Sequence, residues 1–508
     1  MIASTHAPGT FGDVVRARAG EAPDAPFVLS PEAARELTYG ALARQACALD
    51  TMLADRGIVG GEIVGFMLPN GIAAATAFVA TMATGRVVAP FNLLAQDVQL
   101  DYVLAHANPR LVFATDEHAE RLRPAIARAA VDTRLAIVDA DSLHLTDAGE
   151  RPLPQVAPSS PAMLMYTSGT TGVPKGVMLS HANLLHSGRV VAAHQSLGPA
   201  DRVLSSLPLY HINGQCIAAT STLVSGGSAV LPYRFSSSQW WPIVERYRPT
   251  WLNLVPTIVA YLLNGPDLTP GQRDAAGRVR FARSASAPLP PEQQRAFEQR
   301  FGIGIVEAMG LTESASIAFC NPIERASRRI GSPGLPLGVQ ARVVDRHGRA
   351  LADGERGEIE IRGDSVMLGY YRAPELTRAA LRDGWLATGD LGYRDADGFY
   401  YITGRLKELI IKGGENIAPR EIDEALLKHP AILEAAAVGV PDAEYGQEIL
   451  ACVVVKPGRT LAEDELRGHC LRELGRYKSP RYIRFIDELP KGPSGKVQRM
   501  KLAEGWAP

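Results

Sequence analysis

The chain contains little cysteine and no excess of either charge. Five cysteines are scattered through 508 residues without a Cys-x-x-Cys pair. Neither a disulfide framework nor a zinc cluster is therefore expected, and a reducing, cytoplasmic environment is favoured. Because 53 basic residues balance 54 acidic ones, no nucleic-acid or anionic-membrane partner is expected.

Long hydrophobic runs are also missing. The longest apolar segment, GIAAATAFVATMATG, has only 15 residues and mostly small side chains. A membrane-spanning helix needs about 20 strongly apolar residues, so this segment predicts a buried helix and no membrane span. The first twenty residues lack the apolar core and early positive charge of a secretory signal, so export is not expected.

The pattern of secondary structure changes along the chain. Strand-like and helix-like segments alternate over the first four hundred residues, which predicts parallel sheets covered by helices. From about residue 335 the pattern becomes strand–turn–strand, and the last hundred residues are a compact mixture. We therefore predict an α/β fold with a large N-terminal domain (1–404) of two α/β sheet subdomains plus a β unit. A small α+β C-terminal domain (405–508) follows, with the joint at 405–407.

One loop, YTSGTTGVPKG (166–176), is rich in glycine and hydroxyl residues and carries a single lysine, Lys175. Unshielded backbone N–H groups and hydroxyls can cradle phosphate oxygens, and a lysine adds charge. The common G-x-x-x-x-G-K-[ST] loop does not fit, because Gly176 follows the lysine. A strand-like AMLMY before the loop and a helix-like NLLHSGRVVAAHQ after it predict the strand–loop–helix setting of phosphate sites. A polar surface loop is the alternative.

Two charged residues are related through a predicted hairpin. If DADG (395–398) forms its turn, residues whose numbers add to 795 face each other, and Asp390 and Arg405 are such a pair. A surface salt bridge worth under about 1 kcal/mol is one interpretation. The other is a binding role, because a carboxylate accepts hydrogen bonds from paired hydroxyls.

Several separated segments, in the same order, resemble the adenylate-forming superfamily: acyl-CoA synthetases, adenylation domains and beetle luciferases. The likeness is greatest to bacterial acyl-CoA synthetases. The matching segments, besides the glycine-rich loop, are LPLYHING (207–214), SASAPL (284–289), MGLTES (309–314), GEIEIRG (357–363), WLATGDLGY (385–393), YITGRLKELIIKGGENIAPREIDE (401–424) and PKGPSGKVQR (490–499). A single motif would be weak support, but this series in the family's order is specific.

The resemblance implies an ATP-dependent acid–thiol ligase. A carboxylate would attack the α-phosphate of ATP to give an acyl adenylate and pyrophosphate, and coenzyme A would then displace AMP. The implied cofactors are ATP, Mg²⁺ and coenzyme A, and the C-terminal domain would be mobile. The alternatives are an enzyme that loads an acyl carrier protein and a non-catalytic nucleotide-binding relative. The stretch YHINGQ lacks the carboxylate that amino-acid activators use, which argues against amino acids.

The same resemblance assigns roles to residues. The implied catalytic residues are Lys496, Thr312, Glu313 and His211, with Glu313 also holding Mg²⁺. The implied cofactor-binding residues are Thr167, Ser168, Gly169, Thr170, Thr171, Gly172, Lys175, Ser286, Ala287, Pro288, Ala308, Met309, Gly310, Leu311, Asp390, Arg405, Lys412, Gly413 and Gly414. Lys496, protonated at neutral pH, would stabilise charge in adenylation and be dispensable for thioester formation. Lys407 is the expected hinge.

Two positions depart from the family pattern. Met309 stands where the family usually has an aromatic residue that stacks on adenine, and a thioether can still pack on a ring face. Ala285 stands where many relatives have glycine beside the acyl group, so its methyl is expected to narrow the acyl pocket. Around these positions the sequence locally resembles oxalate-type CoA ligases, without identifying the acid.

Overall fold

The computed structural model describes residues 9–145, 152–167, 174–491 and 497–506. Its α-helices, in chain order, are α1 Phe11–Glu21, α2 Tyr39–Asp55, α3 Ile72–Ala83, α4 Asp97–Ala107, α5 Asp116–Ala129, α6 His181–His194, α7 Ser221–Ser225, α8 Ser237–Tyr247, α9 Pro256–Leu263, α10 Pro270–Ala276, α11 Pro291–Phe301, α12 Pro374–Ala380, α13 Pro419–Leu427 and α14 Glu463–Lys478. A π-helical segment, Asn213–Thr220, and the 3₁₀ turns Thr312–Ser314, Arg325–Ser327 and Arg499–Ala503 complete the helical structure of these ranges.

The strands form four sheets. They are β1 Pro26–Ser30, β2 Arg35–Thr38, β3 Ile63–Met67, β4 Val87–Pro90, β5 Leu111–Ala114, β6 Arg134–Ile137, β7 Pro161–Thr167, β8 Lys175–Ser180, β9 Arg202–Ser205, β10 Ser228–Val230, β11 Trp251–Leu254, β12 Phe281–Ser284, β13 Ile305–Met309, β14 Phe319–Cys320, β15 Leu335–Pro336, β16 Gln340–Val344, β17 Gly357–Arg362, β18 Gly369–Tyr370, β19 Leu381–Arg382, β20 Trp385–Arg394, β21 Tyr400–Arg405, β22 Ile410–Lys412, β23 Glu415–Ile417, β24 Ile432–Asp442, β25 Gly446–Val455 and β26 Tyr482–Phe485.

Two mainly parallel sheets with helical cover make up most of the N-terminal part. One has the order β18-β8-β7-β4-β3-β5-β6 and the other β15-β14-β13-β12-β11-β9-β10-β1-β2. Helix α3 packs against α1 and α2 and against strands of both sheets, and every one of its side chains is buried. The predicted buried helix is thus confirmed: its small alanine side chains let the neighbouring elements approach closely. Within the described ranges, no helix has the length and hydropathy needed to cross a bilayer.

The remaining two sheets confirm the rest of the predicted fold class. Strands β16, β17, β20 and β19, with β21 beside β20, form a small antiparallel β unit. The C-terminal sheet, β23-β22-β25-β24 with β26 beside β25, packs with α13 and α14 around its own apolar core. The chain is therefore α/β, with a large N-terminal part and a small α+β C-terminal part.

The β20–β21 hairpin brings Asp390 opposite Arg405, as predicted, but the strand register next to the turn differs from the predicted one. Next to the turn the paired numbers add to 794, as for Tyr393 and Tyr401. A register shift between Leu391 and Gly392 leaves Thr403 unpaired, and beyond it the sum becomes 795. The bulge therefore restores the predicted pair.

The setting of the glycine-rich loop differs from the prediction. Strand β7 is followed by the antiparallel strand β8, with Thr167 paired to Lys175, and only then by α6. The loop thus joins two strands of a hairpin and does not lead into the first turn of a helix. The strand–loop–helix prediction was wrong because the mainly apolar segment KGVMLS pairs with β7 and extends the sheet before the Ser180 cap starts the helix.

Candidate active site

A cavity of about 300 Å³ lies between the nine-stranded sheet and the C-terminal part of the chain. One wall comes from segments that directly follow β11, β12 and β13, strands that run parallel to each other. Ligands in α/β proteins bind beyond the carboxyl ends of parallel strands. The facing wall includes residues of β24 and of the segment around 489–499. The lining includes the predicted residues Ser286, Ala287, Pro288, Ala308, Met309, Gly310, Asp390 and Arg405.

Ser286 has a strained backbone at the cavity wall. Its φ is +74°, in the left-handed region that non-glycine residues rarely adopt. Its hydroxyl oxygen accepts a hydrogen bond from Asn213 Nδ2 at 3.1 Å, and Asn213 Oδ1 in turn accepts one from Asn253 Nδ2 at 3.1 Å. Strain of this kind costs on the order of 1–3 kcal/mol and persists where the surroundings impose it. The amide network is what holds Ser286 in place.

Gly310 allows a close backbone approach on the opposite side. A Cβ atom at this position would lie 2.2 Å from the carbonyl oxygen of Ser316, so the position requires glycine. This contact fixes the turn between β13 and the 3₁₀ turn Thr312–Ser314, and it thereby positions Met309 and Leu311, which are both half-buried.

Asp390 and Arg405 form a forked ion pair at the cavity. Arg405 Nε lies 2.6 Å from Asp390 Oδ1, and the aspartate is buried whereas the arginine side chain is 37% exposed. The Asp390 carboxylate raises the pKa of Arg405, burial opposes this, and Glu408 and Glu313 add smaller contributions. The negative charge of Glu313 therefore lies close enough to help stabilise the Arg405 guanidinium.

A tyrosine connects Glu313 to Lys175. The Tyr370 hydroxyl donates to Glu313 Oε1 at 2.9 Å, and Lys175 Nζ lies 5.0 Å from the centre of the Tyr370 ring. Strand β18 pairs with β8, so the tyrosine is placed beside the start of β8. Burial, followed by the charge of Glu313, raises the pKa of Tyr370 far above its usual range. It therefore stays a hydrogen-bond donor at neutral pH.

Glu313 fits the predicted magnesium ligand. Tyr370 occupies one carboxylate oxygen, and the described residues contain no group of three acidic, histidine or cysteine side chains arranged to hold a metal. Mg²⁺ that bridges nucleotide phosphates needs only one or two protein carboxylates. Glu313 would hold the ion, whose chemistry is to neutralise charge on the phosphates. Thr312 begins the 3₁₀ turn that carries Glu313.

Other predicted residues lie outside this cavity or outside the described residues. Thr167 and Lys175 frame the glycine-rich loop, whereas Ser168, Gly169, Thr170, Thr171 and Gly172 lie outside the described ranges. His211 is half-buried just before the π-helical segment, and its Nδ1 accepts from the Asn213 N–H at 3.3 Å. Neither His211 nor Thr312 is part of the cavity lining.

Lys412, Gly413 and Gly414 are likewise not part of the lining. The Lys412 ammonium is buried, lies 2.6 Å from Glu448 Oε1 and donates to the Tyr477 carbonyl at 2.9 Å. Gly413 and Gly414 have φ values of +56° and +84°, which glycine adopts without strain. The lysine side chain thus points toward the C-terminal sheet. The turn formed by the two glycines is exposed and does not line the cavity.

Described residues on either side of Lys496 line the cavity. Lys491 and Val497 form a β-bridge and both line the cavity, whereas Lys496 itself lies outside the described residues. Arg499, which follows, lies 2.6 Å from Asp423 Oδ2 in α13. Both ends of the segment are therefore fixed to the C-terminal part of the chain at the cavity wall.

Three residues near the predicted ones were missed from the sequence: Tyr370, Asn253 and Glu307. Glu307 lines the cavity, accepts a hydrogen bond from the Leu289 N–H at 3.1 Å, and has a pKa raised by burial to about 7. For Asn253 and Glu307, a detectable signal was a polar residue inside an apolar strand segment, WLNL and IVEAM. Tyr370 gave no such signal, because an aromatic residue is common in a strand.

Comparison with known proteins agrees with this geometry. The AMP-binding enzyme family matches residues 15–371, and the AMP-binding enzyme C-terminal domain matches residues 421–496. The chain is 56% identical to a sulfoacetate–CoA ligase of Cupriavidus necator over 97% of both chains. It is 33% identical to an oxalate–CoA ligase of Arabidopsis thaliana, over 90% of this chain and 91% of that one.

A solved structure shows the same fold. ATP-bound MatB from Rhodopseudomonas palustris superposes with a TM-score of 0.89 at 31% identity, over 97% of this chain and 98% of that one. The predicted superfamily and reaction class are thus confirmed, with ATP, Mg²⁺ and coenzyme A as the reactants and cofactor of the family. The chain belongs to the AMP-binding enzyme family of adenylate-forming enzymes and is an ATP-dependent acid–CoA ligase.

Proposed function

We propose that the acid is sulfoacetate, or an equally short acid with a second anionic group. The observation that supports this most is the 56% identity to a sulfoacetate–CoA ligase over 97% of both chains. The oxalate–CoA ligase at 33% identity also acts on a short acid with two acidic groups. Ala285 is buried directly before the cavity-lining Ser286, and its methyl group, in place of a glycine hydrogen, would favour a small acyl group.

In the first half-reaction we assign nucleotide binding to the cavity residues. Asp390 would accept hydrogen bonds from the ribose hydroxyls, with Arg405 beside it toward the phosphates. Met309 and the segment Ser286–Pro288 would pack against adenine, since all of them line the cavity. Lys175 and Glu313, joined through Tyr370, would face the phosphates at the mouth of the glycine-rich loop. Fixed charges of this kind stabilise a transition state in which negative charge accumulates.

In the second half-reaction the C-terminal part would turn to bring a different surface to the cavity. Lys491 and Val497, on either side of the segment that contains Lys496, line the cavity, whereas Lys412–Gly414 does not, so this arrangement suits adenylate formation. Rotation would bring the backbone of Gly413 and Gly414 toward coenzyme A, and His211 would lie between the acyl and thiol sites. We assign the boundary to residues 404 and 405, with Lys407, exposed between β21 and β22, as the hinge.

We also propose a cytoplasmic location. The five cysteines are all free and four of them are buried, which suits a reducing environment. ATP and coenzyme A are both supplied in the cytoplasm, so the proposed reaction fits that compartment.

The test is a substrate panel with the purified full-length protein. The protein is incubated with Mg-ATP and coenzyme A and with sulfoacetate, oxalate, malonate, acetate, hexanoate or benzoate, and mass spectrometry identifies the products. We expect sulfoacetyl-CoA with the highest kcat/KM. Faster thioester formation from acetate, hexanoate or benzoate would contradict the proposed substrate class. Acyl adenylate that coenzyme A leaves unchanged would move the acceptor to a carrier protein.

A further inference from the structure

The nine-stranded sheet contains a buried arginine without a partner. Arg283 of β12 lies between Asn253 of β11 and Val306 of β13, and its side chain is fully buried. None of its three guanidinium nitrogens has a hydrogen-bond partner among the described residues. Removing a guanidinium from water without a counter-charge is costly. A buried arginine of this kind is therefore expected to meet an anion that the described part of the chain does not supply.

Two further polar atoms without partners among the described residues lie near this arginine. They are Asn253 Oδ1, on the neighbouring strand, and His194 Nδ1, and both are buried. Burial and, after it, the charge of Arg283 lower the pKa of His194, so the imidazole lies within reach of the guanidinium and stays neutral. Buried polar atoms are nearly always hydrogen-bonded in native proteins. Two unpartnered polar atoms beside one unpaired cation indicate a polar site for a small ligand.

This site is connected to the wall of the nucleotide cavity. Side chains of paired residues in parallel strands point to the same face, so Arg283 and Asn253 share a face. Asn253 bonds to Asn213, and Asn213 bonds to the cavity-lining Ser286. Arg283 and Ser286 are three positions apart, a span of at most about 10 Å of extended chain. Arg283 therefore lies on the same face of the sheet as the amide network that reaches the cavity wall.

We propose that Arg283 binds the second anionic group of the acid, a sulfonate in the case of sulfoacetate, while the reacting carboxylate lies near Ser286. The inference rests on the proposed function and adds the residue that selects the substrate. A guanidinium fork matches the oxygens of a sulfonate or carboxylate with parallel hydrogen bonds. A neutral acid would leave the arginine unpaired, so it would be rejected.

The experiment compares sulfoacetate with 3,3-dimethylbutanoate, in which three methyl groups replace the three sulfonate oxygens at the same positions. The kcat/KM ratio of the two acids is measured for the wild type, Arg283→Met and Arg283→Lys. Arg278→Met is the matched control, since Arg278 lies shortly before the same strand and its side chain is 56% exposed. We expect the ratio to fall about 100-fold in Arg283→Met and about tenfold in Arg283→Lys, and to be unchanged in the control.

Binding without turnover gives a second readout. Sulfoacetate at saturating concentration is expected to raise the midpoint of thermal unfolding of the wild type and of the control, and to have no effect on Arg283→Met. If Arg283→Met does not fold, the test depends on Arg283→Lys. A kcat/KM ratio of the two acids that is unchanged in Arg283→Lys then overturns the inference. Equal loss of activity with both acids also overturns it, because a structural role predicts that result.

The two proposals fail in different ways. A wild type that activates 3,3-dimethylbutanoate or acetate better than sulfoacetate contradicts the proposed substrate class, and the inference falls with it. A wild type that prefers sulfoacetate, together with an Arg283→Met variant that keeps the same preference, contradicts only the role of Arg283.

Discussion

Asp390 and Arg405 stand opposite each other in the β20–β21 hairpin, and Arg405 Nε lies 2.6 Å from Asp390 Oδ1. Arg394 and Asp353 form a pair of similar length, 2.5 Å, in the same β unit, but both of their side chains are nearly half exposed. The two pairs use the same chemistry, yet only the first has a buried carboxylate at the cavity.

The burial of Asp390 at the cavity predicts that its substitution reduces activity more than substitution of the exposed Asp353. Asp390→Asn keeps the shape of the side chain but removes the charge that orients Arg405, so we expect kcat/KM for ATP to fall about 100-fold, the loss typical of a misplaced binding group. Pyrophosphate release in the absence of coenzyme A measures it. Asp353→Asn is the control and should change the rate less than about twofold, since exposed pairs contribute little. A similar effect of both variants would contradict a binding role for Asp390.

Tyr370→Phe tests the link to magnesium. The change removes the hydroxyl that donates to Glu313 Oε1 but keeps the ring beside Lys175. Groups that orient a metal ligand typically contribute 10–100-fold in metal affinity, so we expect the Mg²⁺ concentration for half-maximal activity to rise about tenfold. A magnesium titration at fixed ATP measures this. Tyr371→Phe, the next residue, should leave it unchanged, and an unshifted titration in Tyr370→Phe would contradict the assignment.

Glu307 predicts a pH dependence of stability. Burial raises its pKa from 4.5 to about 7 in the folded protein, so between these values the folded state holds a proton that the unfolded state has released. The contribution of Glu307 is thus fully present below about pH 4.5 and is lost as pH rises through 7. The free energy of unfolding is expected to fall by on the order of 3 kcal/mol over this pH range, because each unit of pKa difference corresponds to about 1.4 kcal/mol.

The test is Glu307→Gln, which stays neutral and keeps an oxygen for the Leu289 N–H. Urea unfolding between pH 5 and pH 8 should show a flatter decline of the free energy of unfolding in the variant than in the wild type. Glu292→Gln changes a glutamate that is 68% exposed and should leave the slope as it is. Parallel curves for wild type and Glu307→Gln would disprove the shift.

The buried pair Lys412–Glu448 predicts a loss of stability in the C-terminal part. Its side chains are only 7% and 4% exposed, so Glu448→Gln would leave a buried ammonium without its counter-charge. Such a change costs about 3–5 kcal/mol, measured by urea unfolding. Glu473→Gln removes the partner of Lys428 in a more exposed pair and should cost less than about 1 kcal/mol. Equal costs would mean that water reaches Lys412.

Some of this architecture could be predicted from the sequence and some could not. The alternation of segments was enough for the fold class. The turn residues predicted the pairing of Asp390 with Arg405, but this pairing also depends on a bulge at Thr403 that the turn residues did not predict. The hairpin around the glycine-rich loop was missed, because a short apolar stretch such as KGVMLS suits a strand or the approach to a helix equally well.

Long-range contacts were the other limit. Tyr370 lies 57 positions after Glu313 and its hydroxyl meets it only because β18 pairs with β8. Likewise, nothing in the segment FARS indicates that Arg283 will be buried between two strands without a hydrogen-bond partner among the residues that the structure describes. Local periodicity contains no information on which strands become neighbours, so sites assembled across a sheet depend on topology.

The unpaired Thr403 has a consequence for any change of chain length in this region. Thr403 is the extra residue of the bulge, so its deletion would give a regular ladder in which all paired numbers add to 794. Arg405 would then take position 404 and would still stand opposite Asp390. Side chains alternate between the two faces of a strand, so one residue inserted between Gly404 and Arg405 would instead move the arginine to the other face, away from Asp390. The hairpin is thus expected to tolerate the loss of one residue at the bulge and to lose the ion pair when one residue is added beyond it.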